Sequence, residues 1–242
     1  MYKENPKTKG SGIVCCIPQT GECPVGCSDC FFQSGRSFLE PLKENLPNMP
    51  ERLEDWQILR INDGHDSNVN RKLVIEATDQ WKGKRFFNTS FAAGFDDPYV
   101  LTVNPGKDTN KAFATIGDDT SLMENINSLM FVRIRTNLWN LELVKEAIDH
   151  YTEKNVPIVL TFMAYYNDDI PKEHQESYEF RKRTLNSYYV IKFDAWKKIM
   201  SLYEDNPLVH SCSGPNNFAC KNCGTCLREF HSTMERINTN ES

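Results

Sequence analysis

Three observations predict an α/β fold built on a parallel sheet: short apolar runs that read as strands, helical stripes between them, and polar turn residues where each run ends. The strand candidates are Gly12–Ile17, Trp56–Ile61, Arg85–Phe91, Tyr99–Val103, Leu129–Thr136 and Val156–Phe162. They are rich in β-branched and aromatic residues. Several are nearly continuously apolar, as strands covered on both faces are. After Asn70, residues Leu73, Val74, Ala77 and Trp81 recur at helical spacing. Leu141, Val144, Ile148 and Tyr151, flanked by Leu143 and Ala147, form a second stripe, with Asn140 as its candidate N-cap. Met123, Ile126 and Met130 suggest a helix before the fifth strand. Such alternation calls for right-handed crossovers. The GFDDP stretch between the third and fourth strands is too short for a helix. Either that crossover is degenerate or one of the two strands is misassigned.

The chain has 242 residues, enough for one domain of barrel size or for two small ones. With 39% apolar and 25% charged residues it reads as soluble and globular. No apolar run approaches the roughly 18 residues of a membrane span. The opening MYKENPKTKGSG lacks the apolar core of a secretory signal, which makes the cytoplasm the expected compartment. A net charge of −5 gives no general attraction to nucleic acid. Arg181, Lys182 and Arg183, with Lys197 and Lys198, read as a solvated face, with a local anion patch as the alternative.

All nine cysteines lie near one terminus or the other, and none falls between 31 and 211. Their odd number, and clustering in a reducing compartment, point to metal rather than to disulfides. Cys23, Cys27 and Cys30 are spaced C-x3-C-x2-C. Three thiolates on a cubane cluster leave one iron free to bind a substrate or cofactor. A structural zinc site normally uses two short knuckles, and this group has no nearby histidine. Cys15 and Cys16 sit in the first strand and are expected to be buried thiols. Cys212, Cys220, Cys223 and Cys226 provide four ligands with the tight spacing of a closed [4Fe–4S] centre. Zinc is the competing occupant, and His210 is an alternative ligand.

Ligands bind at the carboxyl ends of strands in open α/β sheets and barrels. Those ends carry Asn62–Asp63–Gly64–His65–Asp66, Asn88–Thr89–Ser90, Asn104–Pro105–Gly106, Arg133 and Arg135 with Asn137, and Tyr165–Tyr166–Asn167. Together with the Cys23–Cys30 loop they describe one ligand-lined mouth. The plainer alternative is that turns are polar wherever they occur. His65 and Asp66 serve either as ligand contacts or as the turn before the next helix. Tyr165 and Tyr166 face a substrate or simply pack. His150 and His174 are assigned to solvent, and Trp56, Trp139 and Trp196 to the core.

A C-x3-C-x2-C motif after a first strand, heading a (β/α)6-like order, resembles the radical S-adenosylmethionine (SAM) superfamily over roughly residues 10–195. The resemblance implies a partial (β/α)6 TIM-like barrel over residues 1–200 and a small cysteine-rich C-terminal extension, an auxiliary cluster region, over 201–242. It implies a [4Fe–4S] cluster on Cys23, Cys27 and Cys30 whose fourth iron chelates the amino and carboxylate groups of S-adenosyl-L-methionine. Reductive cleavage of SAM would give methionine and a 5′-deoxyadenosyl radical that takes hydrogen from an unidentified substrate. An electron donor such as flavodoxin or ferredoxin is implied as a partner. Asn62, Asp63 and Gly64, with His65 beside them, are assigned to the SAM amino group. Asn104, Arg133 and Arg135 are assigned, by placement, to its ribose and carboxylate. Two departures stand out. Asp29 occupies a position usually aromatic in the family, while Phe31 and Phe32 follow Cys30; and Asn62–Asp63–Gly64 only partly matches the family's glycine-rich turn. Cys212, Cys220, Cys223 and Cys226 resemble an auxiliary iron–sulfur extension. The competing function is a non-catalytic iron–sulfur or zinc protein that carries electrons or binds a partner. A nucleic-acid-binding zinc module has the weakest support, because the charge is acidic and basic residues are not interleaved with aromatics.

Overall fold

The computed structural model describes residues 1–27, 30, 32, 37–105, 125–166, 169–182, 187–212, 214 and 219–240. Within them all six strand candidates are strands: β1 (Ile13–Cys16), β2 (Ile58–Ile61), β3 (Arg85–Thr89), β4 (Tyr99–Val103), β5 (Leu129–Thr136) and β6 (Ile158–Phe162). Three more follow: β7 (Tyr178–Arg181), β8 (Tyr188–Ile191) and β9 (Val209–Ser211). The helices are α1 (Leu42–Asn45), α2 (Arg71–Ala77), α3 (Leu141–Glu153), α4 (Phe193–Ser201), α5 (Cys220–Cys223) and α6 (Thr225–Asn240).

The fold is α/β. Seven strands pair in the order β1–β2–β3–β4–β5–β6–β9, and every pairing in that sheet is parallel. Among the described residues β1 and β9 do not pair, so the sheet is not closed. β9 adds an unanticipated seventh strand. At three residues it is too short to show a periodicity, and its place is set by the register Ile158↔Val209 and Leu160↔Ser211. β7 and β8 form an antiparallel hairpin, held to the end of β6 by a bridge between Tyr165 and Tyr189.

Alternation along each strand explains the two cores. On one face Val14, Leu59, Phe87, Leu101, Val132 and Leu160 pack against Val74 of α2 and against Val144, Ala147, Ile148 and Tyr151 of α3. On the other, Ile13, Ile58, Phe86, Val100, Phe131 and Val159 are covered by Phe230 of α6, with Leu227 and Met234 beside it. The strands are therefore apolar on both sides, as a parallel sheet requires. Two residues further along, that second face turns polar: Arg60, Asn88, Thr102, Arg133 and Thr161 replace Ile58, Phe86, Val100, Phe131 and Val159. The C-terminal helix fills the amino-terminal half of this face and leaves its carboxyl half to polar groups.

The doubtful crossover is degenerate, and both strands that flank it are real. Without a helix, Phe95 stacks on Phe87 at 4.3 Å between centroids, and Asp97 pairs with buried Arg85 at 2.8 Å. Three local expectations are corrected. Ile126–Ser128 is a single 3-10 turn and Met130 belongs to β5, so no helix runs through both; Met123 lies outside the described residues. The hydrophobic spacing there is strand content read at helical period. Asn140 holds the N-cap position of α3 without a capping hydrogen bond, because its amide accepts from Asn137 N at 2.9 Å and donates to the Arg135 carbonyl at 3.0 Å. Trp56 is 61% exposed, because it precedes β2 and the sheet begins to bury side chains only at Ile58. Among the described residues no helix is long and apolar enough to cross a membrane.

Candidate metal centre

The Cys23–Cys30 loop leaves the carboxyl end of β1. Its base is closed by two hydrogen bonds between Ile17 and Asn48, at 3.0 and 2.9 Å. Beneath it Ile17, Phe32, Leu39 and Leu46 form a small core on which Cys30 packs. The Cys30 amide donates to the Cys27 carbonyl at 3.3 Å, so the last two cysteines share one turn. Burial pushes the Cys23 thiol up to about 11; the N–H groups of Val25 and Asp66 favour its thiolate, whereas the Asp66 carboxylate and Cys27 oppose it. Of the aromatic and acidic positions discussed for this loop, Asp29 and Phe31 lie outside the described residues, as do Gly106, Asn167 and Arg183 elsewhere.

The turn after β2 meets this loop. Asn62 has φ 62° and donates its amide to the Cys16 carbonyl at 2.8 Å. Gly64 has φ 142°, and a Cβ there would stand 2.2 Å from the Phe32 ring. Glycine is required on both counts. His65 accepts the Asp66 N–H on Nδ1 at 3.0 Å, and burial lowers its pKa, so it is neutral. The Asp66 carboxylate accepts from Asn68 N (2.9 Å), Thr89 Oγ1 (2.9 Å) and Ser90 N (2.6 Å). Burial raises its pKa and these donors oppose the rise. Asp66 therefore ties the β2 turn to the end of β3. The Asp63 carboxylate accepts from Arg60 Nη2 at 2.9 Å and from the Asn5 amide, so it faces the N-terminal segment. Asn62 Oδ1 and Gln19 Oε1 are buried acceptors without a partner among the described residues.

The second cysteine group lies on the polar half of the same sheet face. The Cys212 amide donates to the Leu160 carbonyl at 2.8 Å, continuing β9 beside Thr161. The Cys220 amide donates to the Lys7 carbonyl at 3.0 Å, fastening α5 to the N-terminal segment. Gly224, at φ 67°, caps α5 and turns the chain into α6. Cys226, in the first turn of α6, packs with Cys212 on the cluster that includes Cys15, Ile58 and Phe131. Cys223 Sγ lies 3.2 Å from Thr225 Oγ1. Burial pushes Cys226 up to about 11, with Arg60 and Arg133 opposing; burial also raises Cys220, with Lys7 and Arg60 opposing. Cys15 and Cys16 are buried in β1, on opposite faces, and burial raises both thiols. Their reading as buried thiols holds.

Arg133 donates to Asn88 Oδ1 at 3.2 Å, and Asn88 donates to the Ile61 carbonyl at 2.8 Å. Arg135 lies two residues nearer the rim on the same face, and Asn104 follows β4; both are half-buried. Arg60 was missed in the sequence. Its signal was a charged residue inside an otherwise apolar strand, on the face of Ile58. Tyr165 is buried and accepts from the Asn137 amide at 3.0 Å, so it packs. His210 lies on β9 near Arg228 and Glu229, and burial lowers its pKa.

Both cysteine sets supply soft sulfur donors, and Cys23 has backbone N–H groups aimed at it, which suits thiolate ligation of iron. Among the described residues no three His, Cys, Asp or Glu side chains are placed to hold a single metal ion. A cubane is larger than an ion and needs its ligands further apart. No protein-family model, curated protein or solved structure gives a significant match to the chain.

Proposed function

We propose that this protein is a radical SAM enzyme whose sheet is a partial (β/α)6 barrel, acting in the cytoplasm on a substrate taken into the mouth at the strands' carboxyl ends. One observation carries the proposal. The three-cysteine loop after β1 lies against the glycine turn after β2, with Phe32 pressed on Gly64. Cys23, Cys27 and Cys30 would hold a [4Fe–4S] cluster. When bound, the cluster and SAM together would supply a 5′-deoxyadenosyl radical by one-electron cleavage of the sulfonium.

The chain's own residues bind and orient. Asn62 Oδ1 and Gln19 Oε1 have no donor among the described residues, and an ammonium group would supply one. Asp63, by contrast, is already engaged by Arg60 and Asn5, so it acts through the turn's shape. Arg133 and Arg135 lie on the face where an anionic group would enter, with Asn104 at the neighbouring strand end. The inward face of α6, through Phe230, covers the amino-terminal half of that face and excludes water from below. Cys212, Cys220, Cys223 and Cys226 would carry a second [4Fe–4S] cluster, with zinc as the alternative.

The test is 5′-deoxyadenosine formation by anaerobically reconstituted protein reduced with a flavodoxin system or dithionite. Wild type should form it. Cys23→Ala should form none while keeping its circular dichroism spectrum, and undiminished product from that variant would refute the assignment. A folded, iron-loaded wild type that never cleaves SAM is instead an electron carrier or interaction protein.

A further inference from the structure

Arg60 and Arg133 place two half-buried guanidinium groups on the same polar half of the sheet face, and Arg60 Nε is itself buried. Buried charges need partners. Among the described residues, the only carboxylate bonded to either is Asp63, which pairs with Arg60 at 2.9 Å. Arg133 donates to a neutral amide, Asn88, and Arg60 Nε has no partner among the described residues. Burial and the neighbouring Arg60 both lower the pKa of Arg133, so its charge is held at a cost. Cys212 and Cys226 pack on the cluster that contains Ile58 and Phe131, and Arg60 and Arg133 lie two residues beyond these on the same face, so the cysteines and the guanidinium groups share one side of the sheet. Lys7 adds a third cation beside Cys220. As thiols these cysteines offer no balancing charge. As thiolates around a [4Fe–4S]²⁺ core they form a centre carrying one or two net negative charges, depending on whether three or four coordinate.

We propose that Arg60 and Arg133 are the countercharges of an anionic metal–thiolate centre on Cys212, Cys220 and Cys226. That places the second centre inside the mouth, against the sheet, where a bound substrate would meet it, rather than on the outer surface as a staple. The proposal rests on the reading that these cysteines bind metal, and it does not depend on SAM chemistry at the N-terminal loop. Arg133 is a positioning residue: it stabilises the charge of the loaded centre and contributes no ligand to it.

The experiment uses the full chain carrying Cys23→Ala, Cys27→Ala and Cys30→Ala, so that only C-terminal metal is counted. Protein reconstituted without oxygen with ferrous iron and sulfide is exposed to excess EDTA, and the half-time of metal loss is measured. Metal should be retained by this parent and absent after Cys226→Ala. Arg133→Leu should lose it at least tenfold faster, and Arg133→Lys should come within about threefold of the parent. A structural arginine would not show the second readout. Metal-free Arg133→Leu should melt at or above the metal-free parent, since a half-buried charge without a carboxylate partner has been removed. The proposal is overturned if the parent retains no Cys226-dependent metal, if Arg133→Leu retains it as long as the parent, or if Arg133→Leu melts lower in both forms. Failure of the SAM reading would appear separately, as absent 5′-deoxyadenosine from the unsubstituted chain.

Discussion

Gly64→Ala should uncouple the two halves of the candidate site. Gly64 has φ 142°, a conformation that L side chains rarely adopt, and its new Cβ would lie 2.2–2.4 Å from three atoms of the Phe32 ring. The backbone strain costs about 1–3 kcal/mol. Overpacking against a ring that is 3% exposed adds about 1–3 kcal/mol more, because the ring cannot swing away into solvent. The total, about 2–6 kcal/mol, is a large part of the 5–15 kcal/mol typical of a whole domain. Phe32 stands two residues after Cys30, so relief by moving the ring would drag on the cysteine loop. Urea unfolding of metal-free protein measures the loss, and iron per chain after reconstitution measures the displacement. In a Phe32→Ala background the overlap disappears and only strain remains, so Gly64→Ala should cost about half as much there. A loss below about 1 kcal/mol, or the same loss in both backgrounds, would refute the reasoning.

Arg85 is 2% exposed and donates to Asp97 (2.8 Å), the Ile75 carbonyl and Thr78 Oγ1 (both 3.1 Å), so Arg85→Met should destabilise by about 3–5 kcal/mol in thermal unfolding. It belongs to the β3–β4 crossover, and 5′-deoxyadenosine yield per folded molecule should not change. Phe230→Ala removes the ring that covers Phe86 and should cost about 3–5 kcal/mol in urea unfolding. For pH, burial raises Cys23 and Cys226 from 9.0 to about 11 in the metal-free protein. Between those values the native state keeps protons that the unfolded chain has released, so metal-free stability should fall as pH rises from about 9 to about 11. Urea midpoints across that window check the slope, which Cys226→Ala should flatten.

Much of the sheet was legible because strands buried on both faces leave long apolar runs such as Leu129–Val132, whose meaning does not depend on neighbours. β9 was not, since three residues carry no period and only pairing with β6 defines them. The helix expected through Met123 and Met130 shows the reverse error, in which strand residues happen to fall at helical spacing. The site was legible as parts. Cysteine spacing and the polar ends of β2 and β5 stand in the sequence, whereas Arg60 looked like one charge in an apolar segment until the pleat placed it beside Arg133 and the C-terminal cysteines.

By itself the sequence determined the kinds of donor available and the positions of six strands along the chain, because spacing along a chain and hydrophobic period are local properties. Tertiary structure alone decided that α6 lies across one face of the sheet and carries Cys226 to the two arginines. That juxtaposition joins residues far apart in the chain, and nothing short of burying Phe230 against Phe86 specifies it.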